Sequence, residues 1–322
     1  MDAIIDNIAV THQANQEVFS KILQQLAEND RDIIVVTSDS RGSGKLVPFG
    51  EKFPEQIVEV GIAEQNLVGV SAGLASAGKK VFAISPACFL TARALEQIKN
   101  DVAYSNNPVK LVGISAGVSY GALGSTHHSL HDFAVLRTIN NLIIVAPADN
   151  FETEQAIRLA VETNLPIYLR FGKKSIALLS TDEKTFEFGK GRVIKEGSDI
   201  TMIATGETVA PALLAAEKLE RDFNVQANVI SMHTIKPLDY NLLADIASTG
   251  KPIITIEEHS VYGGLGEACA SFLLQNNYRN PFKIIGIPDE YTVTGSQQEI
   301  FDHYGISEDG IAKSAMEMIV NC

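Results

Sequence analysis

The stretch VEVGIAEQNLVGVSAGLASAG, residues 58–78, carries Glu64 at the start of a helix-length run of small and apolar residues. Its Gly and Ala content suits close packing, so the run reads as a crossover helix, and one so apolar is expected to be buried. Short β-branched runs stand on both sides: DIIVVTS (32–38) before it, and KVFAIS (80–85), VKLVGIS (109–115), LIIVAP (142–147) and PIYLRF (166–171) after it. A second helix-length segment, FLTARALEQIKNDVAYS (89–105), falls between two of these runs. Strands alternating with helices of this length define an α/β layer on a mainly parallel sheet.

Further out, residues 172–198 are richer in charge, Gly and Ser, with a turn signal at Glu196-Gly197-Ser198, and read as a linker with a short hairpin. A second alternating series follows: DITMIAT (199–205), a helix over 209–223, VQANVIS (225–231), PIITIEE (252–258), a helix over 265–275, and FKIIGI (282–287). The expected organisation is α/β with two domains, residues 1–185 and 186–322, each a mainly parallel sheet flanked by helices. Each is large enough to bury its own core.

The hydrophobic and charged fractions, 45% and 20%, are those of a folded globular chain. No window approaches the roughly 18 consecutive apolar residues of a membrane span, and MDAIIDNIAV lacks a secretory layout, so a cytoplasmic location is expected. A net charge of −13 disfavours nucleic acid and anionic membranes as partners. Cys88, Cys269 and Cys322 form no CxxC pair, which argues against a cluster or a disulfide framework and for buried or incidental thiols.

Glu64 is open to two readings. A first-turn glutamate complements the helix dipole. Alternatively, an unpaired carboxylate in apolar surroundings is costly and is kept for function. His127, His128 and His131 crowd one Gly/Ser-rich loop, GALGSTHHSLHD (121–132), but lack the carboxylate or cysteine partners of a metal site, so no metal is assigned to them.

GIAEQNLVGVSAGLASAG (61–78) resembles the segment of transketolases and deoxyxylulose-phosphate synthases that carries their activating glutamate. Later stretches agree in order: SPACFLTARALEQIKNDVAY (85–104), GSTHHSLHDFAVLR (124–137), NLIIVAPADNFETEQAI (141–157), DITMIATGETVAPALLAAEKL (199–219), SMHTIKPLD (231–239) and EEHSVYGGLGEA (257–268). The resemblance covers nearly the whole chain and implies a pyrimidine-binding domain followed by a transketolase C-terminal domain, with thiamine diphosphate as cofactor. It implies that Glu64 shares a proton with the cofactor's pyrimidine and so activates a carbanion-stabilising group. Phe89 matches an aromatic that stacks on the pyrimidine, and fits an ordinary core residue as well. Asp39, in the turn SDS, matches a position near the cofactor, and equally a turn-forming aspartate. His127 matches a histidine that contacts substrate hydroxyls and can shuttle protons. Arg170, in YLRFGKK (168–174), is the implied anion-binding residue; Arg41, in SDSRGSG (38–44), is a second, or an exposed loop residue. His12 falls where the family has an arginine that grips sugar phosphate. His233 and His259 receive no catalytic role.

Several positions depart from the family pattern. Ala92 and Leu95 stand where transketolases have further aromatics, Leu123 replaces an aspartate, and Ser115 replaces a histidine. These changes affect the substrate side more than the cofactor side. The family holds diphosphate through Mg2+ with a GDG motif and an asparagine in a preceding domain, and this chain has no GDG. Met1 stands almost directly before the pyrimidine-binding domain, so those Mg2+ ligands are expected from an N-terminal partner subunit, in an α2β2 heterotetramer. The resemblance therefore implies the C-terminal subunit of a split transketolase, moving a two-carbon ketol unit from an anionic ketose to an aldose. The alternatives are a deoxyxylulose-phosphate-synthase-like enzyme, the β subunit of a 2-oxoacid dehydrogenase, and a non-catalytic assembly or regulatory subunit.

Overall fold

Runs such as DIIVVTS are apolar on both faces and fit only strands covered from both sides. The computed structural model, which describes residues 8–179 and 185–320, has them there. Its strands in chain order are β1 (Ile8–Ala14), β2 (Ile33–Thr37), β3 (Ile57–Glu59), β4 (Lys80–Pro86), β5 (Lys110–Ile114), β6 (Ile143–Val145), β7 (Ile167–Arg170), β8 (Ser175–Leu179), β9 (Arg192–Lys195), β10 (Ile200–Ala204), β11 (Ala227–Ser231), β12 (Thr234–Lys236), β13 (Ile253–Ser260) and β14 (Phe282–Ile287). Every residue of β2, β5 and β10 is buried.

The first sheet runs β12-β6-β7-β5-β4-β2-β3 and is parallel except for β12, which pairs antiparallel with β6. The second runs β14-β13-β10-β11-β9, parallel except for β9 on β11. Both sheets and the helices Val209–Phe223 and Leu265–Gln275 agree with the sequence reading.

Three expectations need correction. Residues 172–198 form no local hairpin among the described residues: β8 pairs antiparallel with the distant β1, and β9 joins the second sheet, while 180–184 lie outside the described residues. Each unit has a cluster largely its own, around Phe19, Phe82 and Leu169 in the first and around Met202, Leu219 and Ile311 in the second, but they are not independent, because a further cluster runs from Val36, Leu67 and Leu111 through to Ile203, Met232 and Ile253, and β12 crosses over to finish the first sheet. The helix Glu64–Ser76 is buried on one face only, through Leu67, Val68, Ser71, Ala72 and Ala75; Gln65, Asn66 and Gly73 are exposed on the other.

The second crossover segment is also less regular than its composition suggests. It begins as the helix Ala87–Arg93, turns through Leu95–Gln97, and widens into a π-helical stretch, Ile98–Tyr104. Single π turns of this kind often accompany functional sites. Among the described residues no helix is long and apolar enough to cross a membrane. Cys88 and Cys269 are buried free thiols, as read from their isolation in the sequence, while Cys322 lies outside the described residues.

Candidate active site

In open parallel sheets the crevice outside the carboxyl ends of the strands is where ligands bind. Asp39 and Arg41 follow β2, Glu64 follows β3, Phe89 follows β4, and His127 lies in the long loop after β5. These five sequence candidates therefore lie along one rim of the first sheet.

Glu64 is the first residue of its helix and only 3% exposed. Its carboxylate receives Arg93 Nη1 at 2.9 Å (Oε1) and 3.1 Å (Oε2). That guanidinium also lies over the Phe89 ring, 4.5 Å from its centroid. Phe89 meets His127 edge-on at 5.4 Å, and His127 meets Tyr120 edge-on at 5.5 Å. The ammonium of Lys173 stands 5.2 Å over the other aromatic of this row, Tyr120. Glu64, Arg93, Phe89, His127, Tyr120 and Lys173 thus form one continuous row, with the Glu64–Arg93 ion pair at one end, aromatic rings between, and the Lys173 ammonium at the other.

The His127 ring stays half-buried, with Nδ1 3.0 Å from Thr126 Oγ1. His128 and His131 are otherwise engaged. His128 is buried between Thr292 Oγ1 (2.6 Å) and the Gly121 carbonyl (2.9 Å), and burial lowers its pKa; His131 Nε2 contacts Thr91 Oγ1 at 3.2 Å. Ser115, which took the place of a family histidine, has a φ of 52° and receives Gln16 Nε2 at 3.3 Å.

A separate knot ties the ends of β2 and β3. Glu59 Oε1 accepts the backbone N–H groups of Asp39 (2.7 Å) and Gly61 (3.0 Å), and Oε2 lies 3.6 Å from Arg41 Nε. Asp39 is exposed with a φ of 53°, as a turn-forming aspartate can be. His12 belongs to β1 by its backbone, and its side chain lies outside the described residues.

Arg170 requires a correction. It does not reach the rim: it is 6% exposed, and its Nε bonds Asp132 Oδ2 at 2.8 Å while Nη2 bonds the carbonyls of Glu258 (2.8 Å) and Ser129 (3.3 Å). Its charge is matched inside the protein by Asp132, and Phe133 covers its face at 4.6 Å. Burial, the largest single influence, acts to raise the pKa of Asp132, but Arg170, His259 and the Tyr168 hydroxyl together bring the net shift below the ordinary value. A guanidinium so engaged is an interior strut, whereas the exposed Lys173 three residues on carries its ammonium over Tyr120.

Arg93, Tyr120, Lys173 and Glu59 were not singled out from the sequence. Arg93 lies four residues after Phe89, one helical turn on, a spacing that puts both side chains on one face and was available to be read. Glu59, Tyr120 and Lys173 are brought in by loop geometry that has no short-range signature. His233 and His259 are buried, held neutral with pKa values pushed down to about 3 and about 4 by burial, and stack on Phe186 and Phe133.

Fold and rim together define a two-domain α/β chain that presents a buried carboxylate beside an aromatic face at the carboxyl end of a parallel sheet. Residues 11–177 match the transketolase pyrimidine-binding domain, and residues 189–311 the transketolase C-terminal domain. The chain is 48% identical over 307 residues to a subunit of the apulose-4-phosphate transketolase of Phocaeicola vulgatus, covering 95% of this chain and 97% of that one. It is 31% identical to a 6-deoxy-6-sulfo-D-fructose transketolase subunit from a Clostridium species, covering 94% of each. A solved split-gene transketolase, described as an inactive β4 tetramer, superposes with a TM-score of 0.86 at 35% identity, covering 95% of this chain and 98% of that chain. The chain belongs to the transketolase family.

Members of this family work with thiamine diphosphate. The rim fits the pyrimidine half of that cofactor, since Glu64 offers a buried carboxyl to a ring nitrogen and Phe89 an aromatic face. Among the described residues no group of three His, Cys, Asp or Glu side chains is placed to hold a metal ion.

Proposed function

We propose that this chain is the C-terminal subunit of a two-chain transketolase, transferring a two-carbon ketol unit from a ketose to an aldose. The observation that carries the reading is Glu64, buried beside Phe89 at the carboxyl rim of a transketolase pyrimidine-binding domain. When bound, thiamine diphosphate supplies the electron sink for breaking a carbon–carbon bond next to a carbonyl.

The chain's own residues do the rest. Glu64 holds a proton at the pyrimidine nitrogen, and Phe89 carries the ring's face and keeps water from it. Arg93, which now occupies the Glu64 carboxylate, must yield that position when the ring enters. His127 bonds substrate hydroxyls and moves a proton to or from them. Lys173 takes the anionic end of the sugar in place of Arg170. Asp39 serves the cofactor side of the rim and Arg41 is a second contact for the substrate anion, both held by the Glu59 knot, and His12 remains a candidate substrate contact on the strength of sequence alone.

The partner is an N-terminal subunit that brings the Mg2+ and diphosphate ligands, in an α2β2 assembly acting in the cytoplasm. Support comes from the relatives, two of them described as transketolase subunits and a third as a β4 tetramer that is inactive. Those subunits are named for a sugar phosphate and a sulfonated sugar, which favours an anionic ketose here. The test is reconstitution with the partner subunit and comparison of wild type with Glu64→Gln. Turnover is expected to fall by roughly 100-fold or more, the scale of a lost proton-transfer group. Unchanged turnover would overturn the assignment of Glu64.

A further inference from the structure

Two carboxyl groups of the C-terminal domain press against the loops that frame the substrate end of the rim. Glu258, on β13, accepts Val118 N–H at 2.9 Å and the Gln297 side-chain amide at 2.8 Å, both through Oε1. Glu207, in the turn before the helix Val209–Phe223, accepts from the same Gln297 nitrogen at 2.7 Å through Oε2. Each carboxyl fills the place of a side chain. A carbon added at Gly117 would overlap Glu258 Cδ, and one added at Gly172 would overlap Glu207 Oε1. Gly117 opens the loop that leads to Tyr120 and His127, and Gly172 precedes Lys173.

The charges around this contact do not balance. Arg170 Nη1 faces Glu258 Oε2 at 3.8 Å, but the same guanidinium is already bonded to Asp132. Lys174 reaches Glu207 only from the exposed side, Glu257 is itself a buried acid, and His259 is neutral. One buried cation thus serves Asp132, Glu207 and Glu258. Among the described residues Glu207 Oε1 and Glu258 Oε2 are buried and accept no hydrogen bond. Burial, then the nearby Glu207 charge, pushes Glu258 up to about 8, so the pair retains a proton at neutral pH.

We propose that Glu207, Gln297 and Glu258 form a proton-holding clasp through which the C-terminal domain positions the Val118–Ser129 and Gly172–Lys174 loops. While one of the two holds a proton, both carboxyls stay seated on their glycines and on the Gln297 amide between them. When that proton leaves to solvent, two negative groups face one another beside an already engaged arginine. One withdraws, and its loop is released. Glu207 and Glu258 are positioning residues, and their functional meaning rests on the reading of these loops as the substrate end.

Amide hydrogen exchange on the full chain tests the clasp independently of that reading, with Val118 N–H as the central probe. After correction for intrinsic rates, protection of Val118 and Ser129 is expected to fall about tenfold or more between about pH 6.5 and about pH 9.5, while β10 holds its protection. Glu207→Gln removes the opposing charge and keeps the acceptor, so protection should become independent of pH. Glu258→Gln, which keeps an oxygen for Val118, should behave the same way, and Glu258→Ala should lose protection at both pH values. Loop protection that does not change with pH in the wild type, or that falls equally in Glu207→Gln, would overturn the proposal.

Discussion

Arg170 and Lys173 sit three residues apart at the end of one strand and do opposite work. The Arg170 guanidinium is bonded to Asp132 and to two carbonyls in the interior, whereas the Lys173 ammonium stands in the open over Tyr120. Breaking a buried ion pair by removing one partner costs about 3–5 kcal/mol. Arg170→Met is therefore expected to lower the chain's Tm strongly, as read by thermal unfolding. Lys173→Met should leave the Tm in place and raise the KM for an anionic ketose in the assembled enzyme, with little change in kcat. The reverse pattern would return the anion-binding role to Arg170. The sequence motif around Arg170 did not disclose that this side chain is buried, because burial is decided by what β13 and Asp132 bring to it, and both are distant in the chain. The burial of Glu64 was legible from the apolar run that follows it, whereas its pairing with Arg93 was not.

At the scale of elements, the strands with continuous apolar runs were readable from composition, and so were the helices Val209–Phe223 and Leu265–Gln275. Several short strands were not. β3 has three residues and β12 three, too few for a periodic signal, and β1 and β8 find each other across most of a domain. β3 nevertheless positions the site, because its last residue, Glu59, gathers the Asp39 and Gly61 N–H groups and the Arg41 side chain just before the Glu64 helix begins. Losing an acceptor for two backbone donors costs roughly 1–3 kcal/mol where they are shielded from water, and less at this partly exposed rim. Glu59→Ala is expected to lower the Tm modestly and to weaken thiamine diphosphate binding to the two-subunit complex in calorimetry. Unaltered affinity would show that the knot has no part in setting Glu64.

At the scale of the whole molecule, the two domains share a core and a set of buried acids, which ties stability to pH. Burial pushes Glu257 up to about 7 and Glu258 to about 8. Below the ordinary glutamate value of 4.5 both states hold these protons. As pH rises from there to about 8, the unfolded chain gives them up while the folded chain keeps them, so their contribution declines across that window. His233 and His259, held neutral by burial, work the other way up to the ordinary value of 6.5, and Asp132 up to 3.8, so none of these three offsets the decline above about pH 6.5. The Tm is expected to be higher near about pH 6 than near about pH 8.5; a Tm that rises over this range would contradict the protonated state assigned to these acids.

The central claim is that Glu64 switches on a cofactor held jointly with a partner chain. The most direct measurement is the rate at which the thiazolium C2 proton of thiamine diphosphate exchanges for deuterium in the two-subunit complex, followed by quenched-flow and NMR. Wild type is expected to exchange this proton about 100-fold or more faster than Glu64→Gln under matched saturation with cofactor. Equal exchange rates in the two complexes would contradict the account.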